Sequence, residues 1–144
     1  MAISNCLNCN KQFKYNPANK SGKYCSCRCS SDYRSKEYIF GWLNGKELGG
    51  NGFQLSQYVR NYLIEQSNSK CSECGWSEIN SNTGKVPLHI DHIDGDPFNH
   101  TSSNLRVLCP NCHSLTETFG SKNIGNGRYS RGCKHPKHTV MPTL

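Results

Sequence analysis

The sequence predicts a small α+β fold stapled at its cysteines rather than held by one large core. Three observations lead there. The chain has 144 residues, 34% hydrophobic content and a mean hydropathy of −0.73, enough for one domain with a small satellite but thin for a sizeable core. Ten cysteines are present, several in C-x-x-C spacing, the kind of staple short chains use when burial alone is insufficient. The apolar periodicity is short and mixed, with helical patterns early and a strand, loop, strand, helix order late.

The opening residues, MAISNCLNCNK, contain no apolar core of signal-peptide length, and no apolar run reaches the roughly 18 residues of a membrane span. The expectation is therefore a cytoplasmic chain with no membrane partner, whose thiols stay reduced and bind zinc instead of forming disulfides. Residues 5–29, NCLNCNKQFKYNPANKSGKYCSCRC, look like a small zinc ribbon: Cys6 and Cys9 form one knuckle, and a second closes the site after a Lys/Asn/Gly-rich loop. Cys25, Cys27 and Cys29 cannot all join a four-ligand site with Cys6 and Cys9. Cys25 and Cys29 are the expected pair, because their spacing resembles the ending of similar ribbons. Lys11, Lys14, Lys20, Lys23 and Arg28, with Phe13 and Tyr15 among them, are candidates to grip phosphates.

The pattern next predicts a helix over 32–44, with Asp32 near its start and an aromatic-rich face of Tyr33, Phe40, Trp42 and Leu43. A Gly-rich run over 45–52 breaks it. A second helix is expected over 55–66, where Leu55, Tyr58, Val59, Tyr62 and Leu63 recur at helical spacing. Cys71 and Cys74 then begin a knuckle that Cys109 and Cys112 answer, which predicts a second four-thiolate zinc. Between them, 86–92 reads as a strand, 95–103 as a loop and 104–108 as the returning strand, with Pro110 suited to the first turn of a closing helix. Past Phe119 the periodicity is lost in a basic Gly/Asn-rich arm. There Cys133, His135 and His138, with Cys27, are an alternative third zinc site. The expected organisation is a ribbon for DNA contact over 1–31, a two-helix connecting segment over 32–70, a core over 71–120 and an arm over 121–144.

Charge is uneven along this order. Residues 1–36 carry seven Lys/Arg against one acidic residue, 37–117 carry five against nine, and 118–144 carry five against none. Basic ends around an acidic centre suit a polyanion held at the flanks and handled in the middle. The centre contains the residues for that handling. Phosphodiester hydrolysis needs a base to deprotonate water and a group to stabilise charge on the phosphate oxygens. The neutral imidazole of His92 suits the base, Asp91 and His113 suit a hard divalent metal, and Asn104 is a candidate to hold His92 in orientation. The thiolates cannot take over this role, since a closed four-sulfur site leaves no position for substrate.

HIDHIDGD followed by NLRVLCPNCH, with the flanking C-x-x-C pairs, resembles the HNH endonucleases of the ββα-metal (His-Me finger) superfamily over about residues 71–120. Asp94, Gly95 and Asp96 intervene before Pro97, a mild departure from a common form of the motif. The resemblance implies a ββα-metal core behind the N-terminal ribbon, with His92 as general base, Asp91 and His113 as metal ligands and Asn104 as the middle Asn. It also implies a catalytic Mg2+ or Mn2+ beside the two structural Zn2+ sites, and 5′-phosphate and 3′-hydroxyl ends. Some members place a further ligand one helical turn beyond the final His, where Glu117 stands here. The wider arrangement looks like small phage-borne HNH proteins, for which the setting would be the host cytoplasm. The partner implied is double-stranded DNA. One active site per chain leaves a monomer that nicks or a homodimer that cuts both strands. A zinc-ribbon binder without catalysis is the competing reading, and RNA cleavage a weaker one, since the hydrolytic chemistry does not itself distinguish the sugars.

Overall fold

The computed structural model describes residues 1–123. The expected arm, apart from its first three residues, and Cys133, His135 and His138 of the alternative third zinc site lie outside them. The chain divides into two compact units, Met1–Glu47 and Leu48 onward, so the boundary falls within the 32–70 stretch. Among the described residues no helix is long and apolar enough to cross a membrane.

In the first unit, strands β1 (Ala2–Asn5) and β2 (Gln12–Tyr15) form an antiparallel hairpin with Ala2 opposite Tyr15 and Asn5 opposite Gln12. The turn joining them carries Cys6 and Cys9, and Asn10 supplies the left-handed residue it needs, with φ of 58°. Helix α1 (Cys27–Leu43) starts earlier than the sequence pattern indicated. Its cap is Ser26, whose hydroxyl accepts from the Cys29 N–H at 3.1 Å, so Cys29 rides in the first turn and Asp32 lies well inside the helix. The expected aromatic face is not a single face either. Trp42 is buried with Ile39 and Gly41, while Phe40 is 63% exposed. At about 100° per residue, Trp42 falls opposite Tyr33 and Phe40.

The second unit opens with a tight hairpin where the pattern showed only a helix break: β3 (Gly50–Asn51) pairs with β4 (Gln54–Leu55). Helix α2 (Gln57–Gln66) follows, capped by Ser56, because Leu55 is already committed to β4. Strands β5 (His89–His92) and β6 (Leu105–Leu108) pair antiparallel, with His89 opposite Leu108 and His92 opposite Leu105. Asn104 belongs to a 3-10 turn, Ser102–Asn104, rather than to the returning strand. Helix α3 (Pro110–Ser114) closes the order, with Cys109 as its cap and Pro110 in its first turn. The core joins Leu88, Val107 and Leu108 to Cys71 and Cys109, with Leu63 and Ile64 of α2 packed against them. The cysteine cluster is thus continuous with the only sizeable apolar core among the described residues.

Candidate active site

Two groups of four thiols converge: Cys6, Cys9, Cys25 and Cys29, and Cys71, Cys74, Cys109 and Cys112, each with all sulfurs within 4.8 Å of one another. A regular tetrahedron with zinc–sulfur bonds of about 2.3 Å has edges of about 3.8 Å. The sulfurs match that size, at 3.7 Å for Cys9 and Cys25, 3.5 Å for Cys25 and Cys29, and 3.8 Å for Cys74 and Cys109. Cys27 is exposed and outside the first group. The thiols differ sharply in acidity. Burial pushes Cys6 up, but donation from the backbone N–H groups of Cys25, Cys9 and Asn8 outweighs it and brings the thiol down to about 6. The Cys74, Cys109 and Glu73 N–H groups outweigh burial at Cys71 in the same way, to about 6. Cys25 is pushed up to about 12 by hydrogen bonds to the Cys29 and Cys6 sulfurs, and Cys112 to about 12 by those to Cys74 and Cys109. Each cluster therefore retains a proton that a cation would have to expel.

The alternation of β5 sends its side chains two ways. Toward α3 go His89 and Asp91. Asp91 is 5% exposed, and its carboxylate is divided: Oδ2 accepts from Arg106 Nε at 2.8 Å, while Oδ1 lies 3.6 Å from His113 Nε2. Arg106 stands directly opposite Asp91 in the strand register and also reaches Glu73 Oε1 at 3.2 Å. The other nitrogen of His113, Nδ1, lies 3.0 Å from His89 Nδ1. Two donors about 2.1 Å from one ion lie roughly 3 to 4 Å apart, so Asp91 Oδ1 and His113 Nε2 are spaced to share a cation. Hard oxygen and imidazole nitrogen suit magnesium, manganese or zinc.

To the other side goes His92, whose Nε2 lies 3.0 Å from Nδ1 of His100. His100 is 4% exposed, and its Nε2 lies 3.0 Å from the Gly52 carbonyl. Burial, and after it the neighbouring His100, hold His92 below the ordinary imidazole value despite the opposing pull of Asp94, Asp91 and Asp96.

Asn104 makes no side-chain hydrogen bond to His92. Its side chain donates to Asp94 Oδ1 at 2.9 Å and to the Asn99 carbonyl at 2.8 Å, and it accepts from the Asp94 N–H at 3.0 Å. The Ile93 N–H adds a bond to its carbonyl. It therefore pins the loop that leaves His92. At Asp94 burial alone would raise the carboxyl, but donation from Asn99, the Asp96 N–H and Asn104 holds it below the usual value. Asn123 fastens the same loop from the far side, donating to the Gly95 carbonyl at 2.6 Å.

Asp91, His92 and His113 line one pocket of about 240 Å³, with Gly95, Thr118 and Asn123 among its other walls. Glu117 is not brought there. Helix α3 ends at Ser114, so the one-turn spacing from His113 is not realised, and Glu117 lines a separate pocket with Glu73 and Arg106. Pattern reading missed Arg106 and His100. Pairing 86–92 against 104–108 puts opposite charges face to face, which would have exposed Arg106. His100 left no comparable signal, because its partner is a backbone carbonyl.

Residues 71–118 match the family model described as HNH endonuclease. The chain is 36% identical over 95 residues to the H-N-H endonuclease F-TflIV of Escherichia phage T5, across 63% of this chain and 40% of that protein. It is 34% identical over 64 residues to the Zorya protein ZorE of Escherichia coli, across 40% of this chain and 17% of that one. The chain thus spans less than half the length of either relative. No solved structure matches.

Proposed function

We propose that the chain, whose residues 71–118 match the HNH endonuclease family model, is a divalent-metal-dependent DNA endonuclease with its active site at Asp91, His92 and His113. The observation that carries this is the approach of Asp91 Oδ1 to His113 Nε2, 3.6 Å apart, in one pocket with a half-buried imidazole base. His92 takes a proton from water as the water oxygen attacks the scissile phosphorus. The bond to the 3′ oxygen breaks, that oxygen takes a proton from solvent water, and His92 returns its own proton to solvent, leaving 5′-phosphate and 3′-hydroxyl ends. A Mg2+ or Mn2+ ion held by Asp91 and His113 would supply the stabilisation of charge on the phosphate and leaving oxygens. Arg106 engages Asp91 Oδ2 and so turns Oδ1 toward His113, and His89 engages Nδ1 of His113 and so turns Nε2 toward Asp91. Asn104 serves by fixing the 93–99 loop.

The two thiol clusters serve as structural zinc sites: one ties the beginning of the 71–118 region to α3, and the other closes the ribbon. The ribbon lysines grip backbone phosphates of double-stranded DNA, and one site per chain nicks unless a second copy supplies the other strand's cut.

Supercoiled plasmid incubated with Mg2+ or Mn2+ tests this directly. The parent protein should nick and be silenced by chelation of the added metal, and His92→Ala should lose about 10²- to 10⁴-fold in rate. An unchanged rate in His92→Ala removes His92 as the base. Tight binding without cleavage under both metals would favour a zinc-ribbon binding protein, which the thiol clusters and basic flanks would serve equally well.

A further inference from the structure

The Gly-rich hairpin and His100 lie outside the residues assigned above, yet they form a single chain of contacts ending on the base. The turn between β3 and β4 consists of Gly52 and Phe53, and Gly52 has φ of 59°, the left-handed value that tight two-residue hairpins require at their first position. The Gly52 carbonyl, between the two turn residues, is outside the strand ladder and open to another donor. It finds His100 Nε2, at 3.0 Å. Gly50 makes room for this ring, since a Cβ there would come within 2.7 Å of His100 Cδ2.

With both rings neutral, the ring hydrogens then have one consistent placement. A carbonyl oxygen only accepts, so His100 Nε2 carries a hydrogen. In neutral His100 the remaining nitrogen, Nδ1, is an acceptor, so the hydrogen shared with His92 resides on His92 Nε2. The lone pair of neutral His92 is thereby left on Nδ1, and that is the nitrogen available to water.

We infer that His100 is a positioning residue which, anchored by the Gly52 carbonyl, fixes the ring and tautomer of His92 so that Nδ1 is the basic atom. The inference rests on His92 acting as the base, and it adds a requirement for His100, in the loop between His92 and Asn104, and for Gly52, far from the motif in sequence. The same contact persists when His92 takes up a proton, because Nε2–H still donates to His100.

Long-range ¹H–¹⁵N spectra of the histidine-labelled full chain, recorded at about pH 8 where imidazoles are neutral, test the tautomer without any activity. His92 ring signals are assigned by their loss in His92→Ala. The expected spectrum has His92 with hydrogen on Nε2 and a bare Nδ1, shifting to a mixture in His100→Gln. A His92 with its hydrogen on Nδ1 in the parent chain overturns the inference.

Cleavage separates positioning from packing. His100→Asn keeps an acceptor oxygen where Nδ1 stands and should nick within a few-fold of the parent. His100→Gln keeps only a partner for Gly52 and should lose about 10- to 100-fold in kcat with KM unchanged. Equal loss in both variants with unchanged His92 spectra means that His100 only packs. A parent chain that cleaves nothing but shows the expected tautomer rejects the nuclease reading and leaves the contact chain intact.

Discussion

At Asp91 one carboxylate serves two neighbours, and the division between them is what makes the site. Arg106 holds Oδ2, and Oδ1 is left facing His113. Arg106→Ala would leave a buried carboxylate without its charged donor, at a cost of about 1 to 3 kcal/mol. It would also free Asp91 to rotate away from His113. Thermal unfolding should register the first effect, and a higher magnesium concentration for half-maximal nicking the second. If the melting temperature falls but the metal requirement stays put, Arg106 is only a structural partner. His100 and Asn104 extend the pattern, since each is itself held by a backbone carbonyl or N–H.

At the scale of elements, the thiol clusters replace the apolar packing that four-residue strands and a five-residue helix cannot supply. Their acidity makes the metal dependence predictable in sign. Around neutral pH Cys6 and Cys71, brought down to about 6, are largely thiolates, whereas Cys25 and Cys112, raised to about 12, keep their protons. Zinc uptake by the metal-free chain should therefore release protons, and zinc affinity should rise with pH. It should fall more steeply once pH drops through about 6, where Cys6 and Cys71 also become protonated. A pH-indicator titration with zinc checks this; uptake without proton release would refute thiolate ligation. Stripping zinc from the second cluster should also melt the core it shares with Leu88, Val107 and Leu108, seen as loss of tertiary signal together with nicking.

For the whole molecule, the ribbon is cationic and the central region acidic, and the proposal gives the grip on DNA to the first and cleavage to the second. Lys11 and Lys14 are exposed on the ribbon, Lys14 on the strand face opposite Phe13 and Tyr15. Replacing both with Glu should raise KM for plasmid with kcat unchanged. It should also flatten the salt dependence of binding, by about one unit of slope for each phosphate that is no longer neutralised. A fall in kcat at saturating DNA would place these lysines nearer the chemistry than proposed. Much of the fold was legible because its determinants are local. Cysteine spacing announced both clusters, likeness to the endings of similar ribbons favoured Cys25 and Cys29 over Cys27, and the strand patterns announced β5 and β6. Ligand number and side-chain periodicity are properties of sequence alone. The tertiary structure decided where helices begin and which polar groups meet. Ser26 moved the start of α1, the end of α3 at Ser114 left Glu117 outside the pocket, and the Gly52 carbonyl took hold of His100. Caps and carbonyl partners depend on backbone direction, and a contact such as that between residues 52 and 100 leaves no period in the sequence to read.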